Sequence, residues 1–194
     1  MSTEINHIYD RVVKWNAQRY DRVYDHDLSI KLLKEELGEY LDAETEVDQL
    51  DAMCDTIYVA LGVVWKMNVD NETLVNSEEE AYNNVWALVE ADILDPIDFA
   101  FAVLIRCKHD FDYPVVLAAQ MLITLCIAQM SYSGLTTDEV MEAILVVCDS
   151  NDSKSIKKVQ SHIKANAGDK GPYFVAPEPR LQAILDRASE RRGD

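Results

Sequence analysis

Apolar residues recur every three to four positions along most of the chain, and no run sustains the alternation of a strand, so the pattern predicts an all-α protein. Ile5, Ile8, Val12 and Trp15 form a stripe on a first helix over residues 3–19. Leu33, Leu37, Tyr40 and Leu41 mark a second at about 28–43, and Leu50, Met53, Ile57, Leu61 and Val64 mark a third at 46–67, closed by Asn68. Ser77-Glu78-Glu79-Glu80 fits a capping box heading a helix to about Asp92, and Asp95-Pro96 opens another that ends near Cys107. Asp112-Tyr113-Pro114 leads into an apolar helix ending near Tyr132, where Ser133-Gly134 stops it. Thr136 to Glu139 is a second capping-box pattern, for a helix to about Cys148. A final helix is expected from Arg180 to about Arg191.

The second and third of these helices, with only a short connection, are expected to pack as an antiparallel hairpin. If the turn is centred near Thr45, position 39 faces position 51 and position 36 faces position 55. Those positions hold Glu36, Glu39, Asp51 and Asp55. The i, i+3 and i, i+4 spacings put each pair on one helix face beside its apolar stripe. Four carboxylates brought together repel, by roughly 1 kcal/mol per pair at 4 Å in water and several times that near a protein surface, unless a cation bridges them. Oxygen-only ligands favour Mg²⁺, Mn²⁺ or Ca²⁺ over zinc or copper. A solvated acidic face is the other reading of the same residues, and Asp48, three positions before Asp51, is an alternative ligand.

Composition narrows the picture. The 194 residues, 48% of them hydrophobic, suffice for one sizeable core, so a single domain over 1–194 is expected. A net charge of -17 argues against direct nucleic-acid binding and against an anionic membrane as partner. Residues 154–194 nevertheless hold 9 of the 18 Lys and Arg, so a basic Gly/Pro-containing segment at about 151–194 follows an acidic body. Cys54, Cys107, Cys126 and Cys148 lie far apart in apolar helical contexts and read as buried thiols in a reducing compartment. With no signal-like N-terminus, a cytoplasmic protein is expected. The apolar run Val115 to Met130 is shorter than a membrane span and reads as a core or subunit-interface helix. Trp86, Phe99, Phe101 and Leu104 read as core or interface, and His7, His26, His109 and His162 as surface or helix-end residues.

Three stretches together resemble the all-α nucleoside-triphosphate pyrophosphohydrolase superfamily, nearest to its MazG-like and phosphoribosyl-ATP pyrophosphohydrolase-like phage and bacterial branch. Val12-Val13-Lys14-Trp15-Asn16 is similar to an element ahead of the first catalytic helix. Leu32 to Leu41 resembles the EExxE helix, and Asp51 to Val59 the acidic helix that follows it. Ser150-Asn151-Asp152-Ser153-Lys154 and Asp169 to Pro177 resemble the Asn-x-Ser-Lys element and the KGPNF-like tail. The segment at about 70–135 matches nothing in that pattern and reads as inserted extra helices. The resemblance implies a helical bundle around a catalytic hairpin, and Mg²⁺-dependent cleavage of a nucleoside triphosphate to monophosphate and pyrophosphate. It makes Glu36, Glu39, Asp51 and Asp55 the metal ligands, and Glu35 the group that orients or deprotonates the attacking water. Asn151, Lys154, Lys170 and Tyr173 become substrate-binding residues, and a homodimer or homotetramer is implied. Two features depart from the family: aspartate stands where glutamate is usual at the first acid of the second helix, and the middle segment is long.

A non-enzymatic acidic helical protein, such as a nucleic-acid-mimicking decoy, is the competing reading of the charge. A decoy spreads its acids over an outer surface, whereas an enzyme gathers a subset in a cleft. A Ca²⁺-binding structural domain is weaker, because no EF-hand loop is present.

Overall fold

The structure is a computed structural model and describes residues 3–90, 112–155 and 170–193. Its helices are α1 (Thr3–Ala17), α2 (His26–Asp42), α3 (Glu46–Met67), α4 (Asn71–Glu90), α5 (Asp112–Tyr132), α6 (Thr137–Ser153) and α7 (Glu178–Arg192), with no strand among the described residues. The all-α expectation therefore holds.

Local chemistry accounts for most of the boundaries. Asp25 caps α2 by accepting from the Leu28 amide, and Thr45 caps α3 by accepting from Asp48. Asn68 ends α3 in the left-handed conformation at φ 54°, which asparagine tolerates better than most side chains. Gly134, at φ 95°, lets the chain leave α5, and the Thr136–Glu139 pair closes a reciprocal capping box on α6.

Ser77 behaves differently from the matching pattern at Thr136. Helix α4 already starts at Asn71, where Asp70 accepts from the Thr73 amide, so Ser77 is interior and fully buried. Its hydroxyl donates to the Leu74 carbonyl within the helix. Asp70 holds the cap seven residues earlier, so Ser77 has no free amides to satisfy. Likewise α6 does not stop near Cys148 but continues through Ser153, which puts Asn151 in its last turn. The helix expected from Asp95-Pro96 to Cys107, with Phe99, Phe101 and Leu104, lies outside the described residues, as do Cys107, His109 and His162.

Helix α3 is the axis of the core, packed by α2 on one side and α5 on another, with α1, α6 and α7 closing around it and α4 lying along α5. Leu50, Met53, Ile57, Leu61 and Val64 are all buried, whereas on α2 the stripe narrows: Leu33 and Leu37 are buried, but Leu41 is 66% exposed. Leu41 falls in the last turn of α2, where the hairpin opens to solvent. The apolar α5 is long enough and apolar enough to cross a membrane, but 61% of that window is buried inside the protein. Val116, Leu122 and Met130 are sealed in the core. Trp86 proves 51% exposed, beside the equally exposed Tyr82, and is not a core residue. Cys54, Cys126 and Cys148 are buried free thiols, each pushed up by burial, the last two to about 12, which keeps them protonated and unreactive.

Candidate active site

The α2–α3 hairpin turns through Ala43 and Glu44, and its register brings the charges of the two helices within reach of each other. Glu36 is pushed up to about 8, by burial first and then by the carboxylates of Asp55 and Glu39, with Lys154 opposing. Asp51 is pushed up to about 7, again by burial first, then by Asp55 and Glu178. Asp55 is raised by burial, against the pull of Lys154 and of its hydrogen bond with Asn151. Asp51 Oδ1 is buried with no hydrogen-bond partner, an oxygen placed at a cost and left without a donor.

Helix α6 brings the opposite chemistry to these acids. Asn151 is buried, and its Nδ2 donates to Asp55 Oδ1 at 3.5 Å, at the limit of a hydrogen bond. Lys154 Nζ donates to Asn151 Oδ1 at 2.8 Å, so the ammonium, the amide and the carboxylate form a chain from α6 to α3. Lys170 is exposed, lies 4.9 Å from the centre of the Phe174 ring and acts on Asp55 through its charge. Tyr173 is 87% exposed on the same tail. The Val175 amide donates to Ser153 Oγ, which ties the tail to the end of α6.

The remaining candidates sit further out. Glu35 is half-buried on α2 and Glu39 is exposed. Asp48 is exposed at the start of α3, where its carboxylate accepts from the Thr45 hydroxyl at 2.7 Å. That cap role accounts for its position. Among the described residues, no three acids, cysteines or histidines stand close enough to form a ready cage for a metal ion. The acids share one face and one field, and mutual repulsion opposes closer approach. The donor chemistry fits a hard divalent cation all the same, because every candidate ligand offers oxygen and one buried oxygen lacks a partner.

Several further residues complete the surroundings, and of these only Trp15 and Asp152 lie in the stretches that carry the resemblance. Arg11 donates to Asp149 at 2.8 Å and to Asp152 at 2.6 Å, and Arg180 donates to Asp149 from α7. Trp15 Nε1 donates to the Asn151 carbonyl at 2.9 Å, and Arg19 Nη2 to the Lys154 carbonyl at 3.1 Å. Their four-residue spacing, 11, 15 and 19, is the one signal in the sequence that places them on a common face.

A helical hairpin with carboxylates withdrawn from water, met by an amide and a lysine from a third helix, has the make-up of a site for metal-bound phosphate groups. Comparison with known proteins goes a step further. Residues 7–82 match the family described as phosphoribosyl-ATP pyrophosphohydrolase, itself part of the MazG-like all-α nucleoside-triphosphate pyrophosphohydrolase superfamily, so this segment of the chain is similar to that family. The chemistry of that family is hydrolysis of pyrophosphate bonds in nucleotides. The match takes in most of α1, all of α2 and α3 and α4 as far as Tyr82, ending before α5 and α6. No curated protein and no solved structure matches the chain.

Proposed function

We propose that this protein is a Mg²⁺-dependent pyrophosphohydrolase that cleaves a nucleoside or deoxynucleoside triphosphate to the monophosphate and pyrophosphate. The observation that carries the reading is the hydrogen-bonded chain from Lys154 through Asn151 to Asp55, set in a field that Asp55 shares with Glu36 and Asp51. A decoy has no use for acids drawn out of solvent against an amide and a lysine; its charges belong on an outer surface.

In this reading Glu36, Glu39, Asp51 and Asp55 would hold Mg²⁺, or Mn²⁺ in its place, through carboxylate oxygens. When bound, the ion neutralises triphosphate charge and makes a coordinated water more acidic. The protein's own groups do the rest. Glu35 accepts the proton of the attacking water as its oxygen bonds the α-phosphorus. The bond from that phosphorus to the bridging oxygen breaks, and pyrophosphate departs with the electron pair. Lys154 and Lys170 set positive charge beside the phosphate oxygens as negative charge builds there. Asn151 turns its amide toward the nucleotide, and Tyr173 offers an exposed ring for a base to stack on. A homodimer or homotetramer belongs to the same proposal.

The test is pyrophosphate release from a panel of dNTPs, NTPs and phosphoribosyl-ATP, with Mg²⁺, with Mn²⁺ and with EDTA. Turnover that needs the metal and drops by about 10- to 100-fold in Glu39→Gln is the expected result. A folded protein that releases no pyrophosphate from any of them would refute the reading.

A further inference from the structure

The last turn of α6 carries Asn151 and leads into Lys154, the two groups that reach toward the hairpin acids. A helix end is where main-chain carbonyls run out of partners, and an unsupported last turn frays. Here two carbonyls at that end accept from side chains at the other end of the chain, that of Asn151 in addition to its bond from the Lys154 amide. Trp15 Nε1 donates to the carbonyl of Asn151, and Arg19 Nη2 donates to that of Lys154. The residues whose carbonyls are gripped are the residues whose side chains face the acids.

The gripping groups are themselves held. Arg19 is buried to 3% exposure, its guanidinium 4.2 Å from the centre of the Trp15 ring, and it also donates to the Trp15 carbonyl. Trp15 meets Tyr58 of α3 edge to face at 5.7 Å, so the indole is wedged between the hairpin and α6. One helical turn earlier, Arg11 bridges Asp149 and Asp152. The i, i+4, i+8 run Arg11, Trp15, Arg19 thus lines one side of α1 and its following turn, and all three members hold the end of α6.

We propose that Trp15 and Arg19 are positioning residues, which fix the Asn151 amide and the Lys154 ammonium against the hairpin acids by hydrogen-bonding the main-chain carbonyls of those two residues. The proposal rests on the pyrophosphohydrolase reading. It assigns neither residue a contact with substrate. Their effect on turnover passes through Lys154 and Asn151, and a placement error of a fraction of an ångström at such groups is costly.

The experiment is a double-mutant cycle on pyrophosphate release, using whichever triphosphate of the panel the wild type turns over. Trp15→Phe keeps an aromatic ring against Tyr58 and removes the donor. It is expected to lower kcat/KM about tenfold with little change in the thermal midpoint. In a Lys154→Met background the same substitution is expected to cost much less, because the group it positions is gone. Arg19→Met and Arg19→Lys form the second arm, the lysine recovering part of the activity that the methionine loses.

Loss of the same size in both backgrounds, or unchanged kcat/KM in Trp15→Phe, would overturn the proposal while leaving the enzyme reading intact. If Trp15→Phe does not fold, the Arg19 pair in the two Lys154 backgrounds decides by the same criterion. A wild type that turns over nothing fails the enzyme reading itself, and the positioning proposal falls with it.

Discussion

Asp51 carries a cost in stability that the proposed metal site would explain. One of its oxygens is buried without a donor, and Asp55 and Glu178 add like charge to that desolvation. Natural sequences keep such a group only where something else is gained. Asp51→Asn is therefore expected to raise the thermal midpoint in EDTA by ~2–4 °C, the shift that about 1 kcal/mol produces in a chain of this size. On the proposed function Mg²⁺ would stabilise the wild type, and the same variant is expected to lose that gain, which thermal melts with and without the metal would read together. A midpoint that falls in EDTA would mean that the carboxylate is stabilising where it stands. Asp149 is the opposite case. Burial raises it, but hydrogen bonds from Arg180 and Arg11 hold it below its ordinary 3.8. A depressed carboxylate stabilises above its unfolded pKa and loses that contribution as pH falls through its folded one. The margin of wild type over Asp149→Asn is thus expected to be whole above about pH 4 and to vanish below the folded pKa. Melting the pair from pH 6 to pH 2.5 tests this.

At the level of the element, two stretches with the same capping pattern prove to have different jobs. Thr136 is a true N-cap, whose hydroxyl accepts from the Glu139 amide while the Glu139 carboxylate accepts from the Thr136 amide. Ser77 lies one and a half turns inside α4 and only bonds back to Leu74. Thr136→Ala is expected to cost about 1 kcal/mol, whereas Ser77→Ala is expected to cost under about half of that, since the back-bond adds little to a helix already formed. Denaturant melts of the two variants separate them. The contrast also shows where local sequence signals stop. Helix α3 was legible to its ends, because Thr45 and Asn68 bracket an unbroken apolar stripe. The start of α4 was hidden, because Asp70 and Ser77 offer equivalent caps and only packing against α5 chooses the earlier one. The end of α6 is hidden for a related reason. Ser150 to Ser153 has the composition of a turn, but the contacts from Trp15, Arg11 and Arg19 keep it helical.

Over the whole molecule, the hairpin and its acids could be read from spacing, since helix periodicity and a short turn together fix which faces meet. The support behind them could not, because it arises from contacts between residues more than 130 positions apart, such as Arg11 with Asp149 and Trp15 with Asn151. The middle of the chain raises the largest question of this kind. In the sequence, 70–135 reads as extra helices added to a catalytic core. In the structure α5 is the main partner of α3, with Leu122 and Met130 at 0% exposure and the Met130 sulfur 4.0 Å from that of Cys54. An element that covers the axis of the core is not an appendage. Leu122→Ala is expected to destabilise the protein by ~2–5 kcal/mol, a cavity cost that approaches the whole stability of an ordinary domain. Replacing residues 71–132 with a flexible linker is expected to abolish cooperative unfolding altogether, with α3 left bare along its α5 face. A linker variant that still melts in one sharp transition would show instead that α1, α2, α3, α6 and α7 fold without α5.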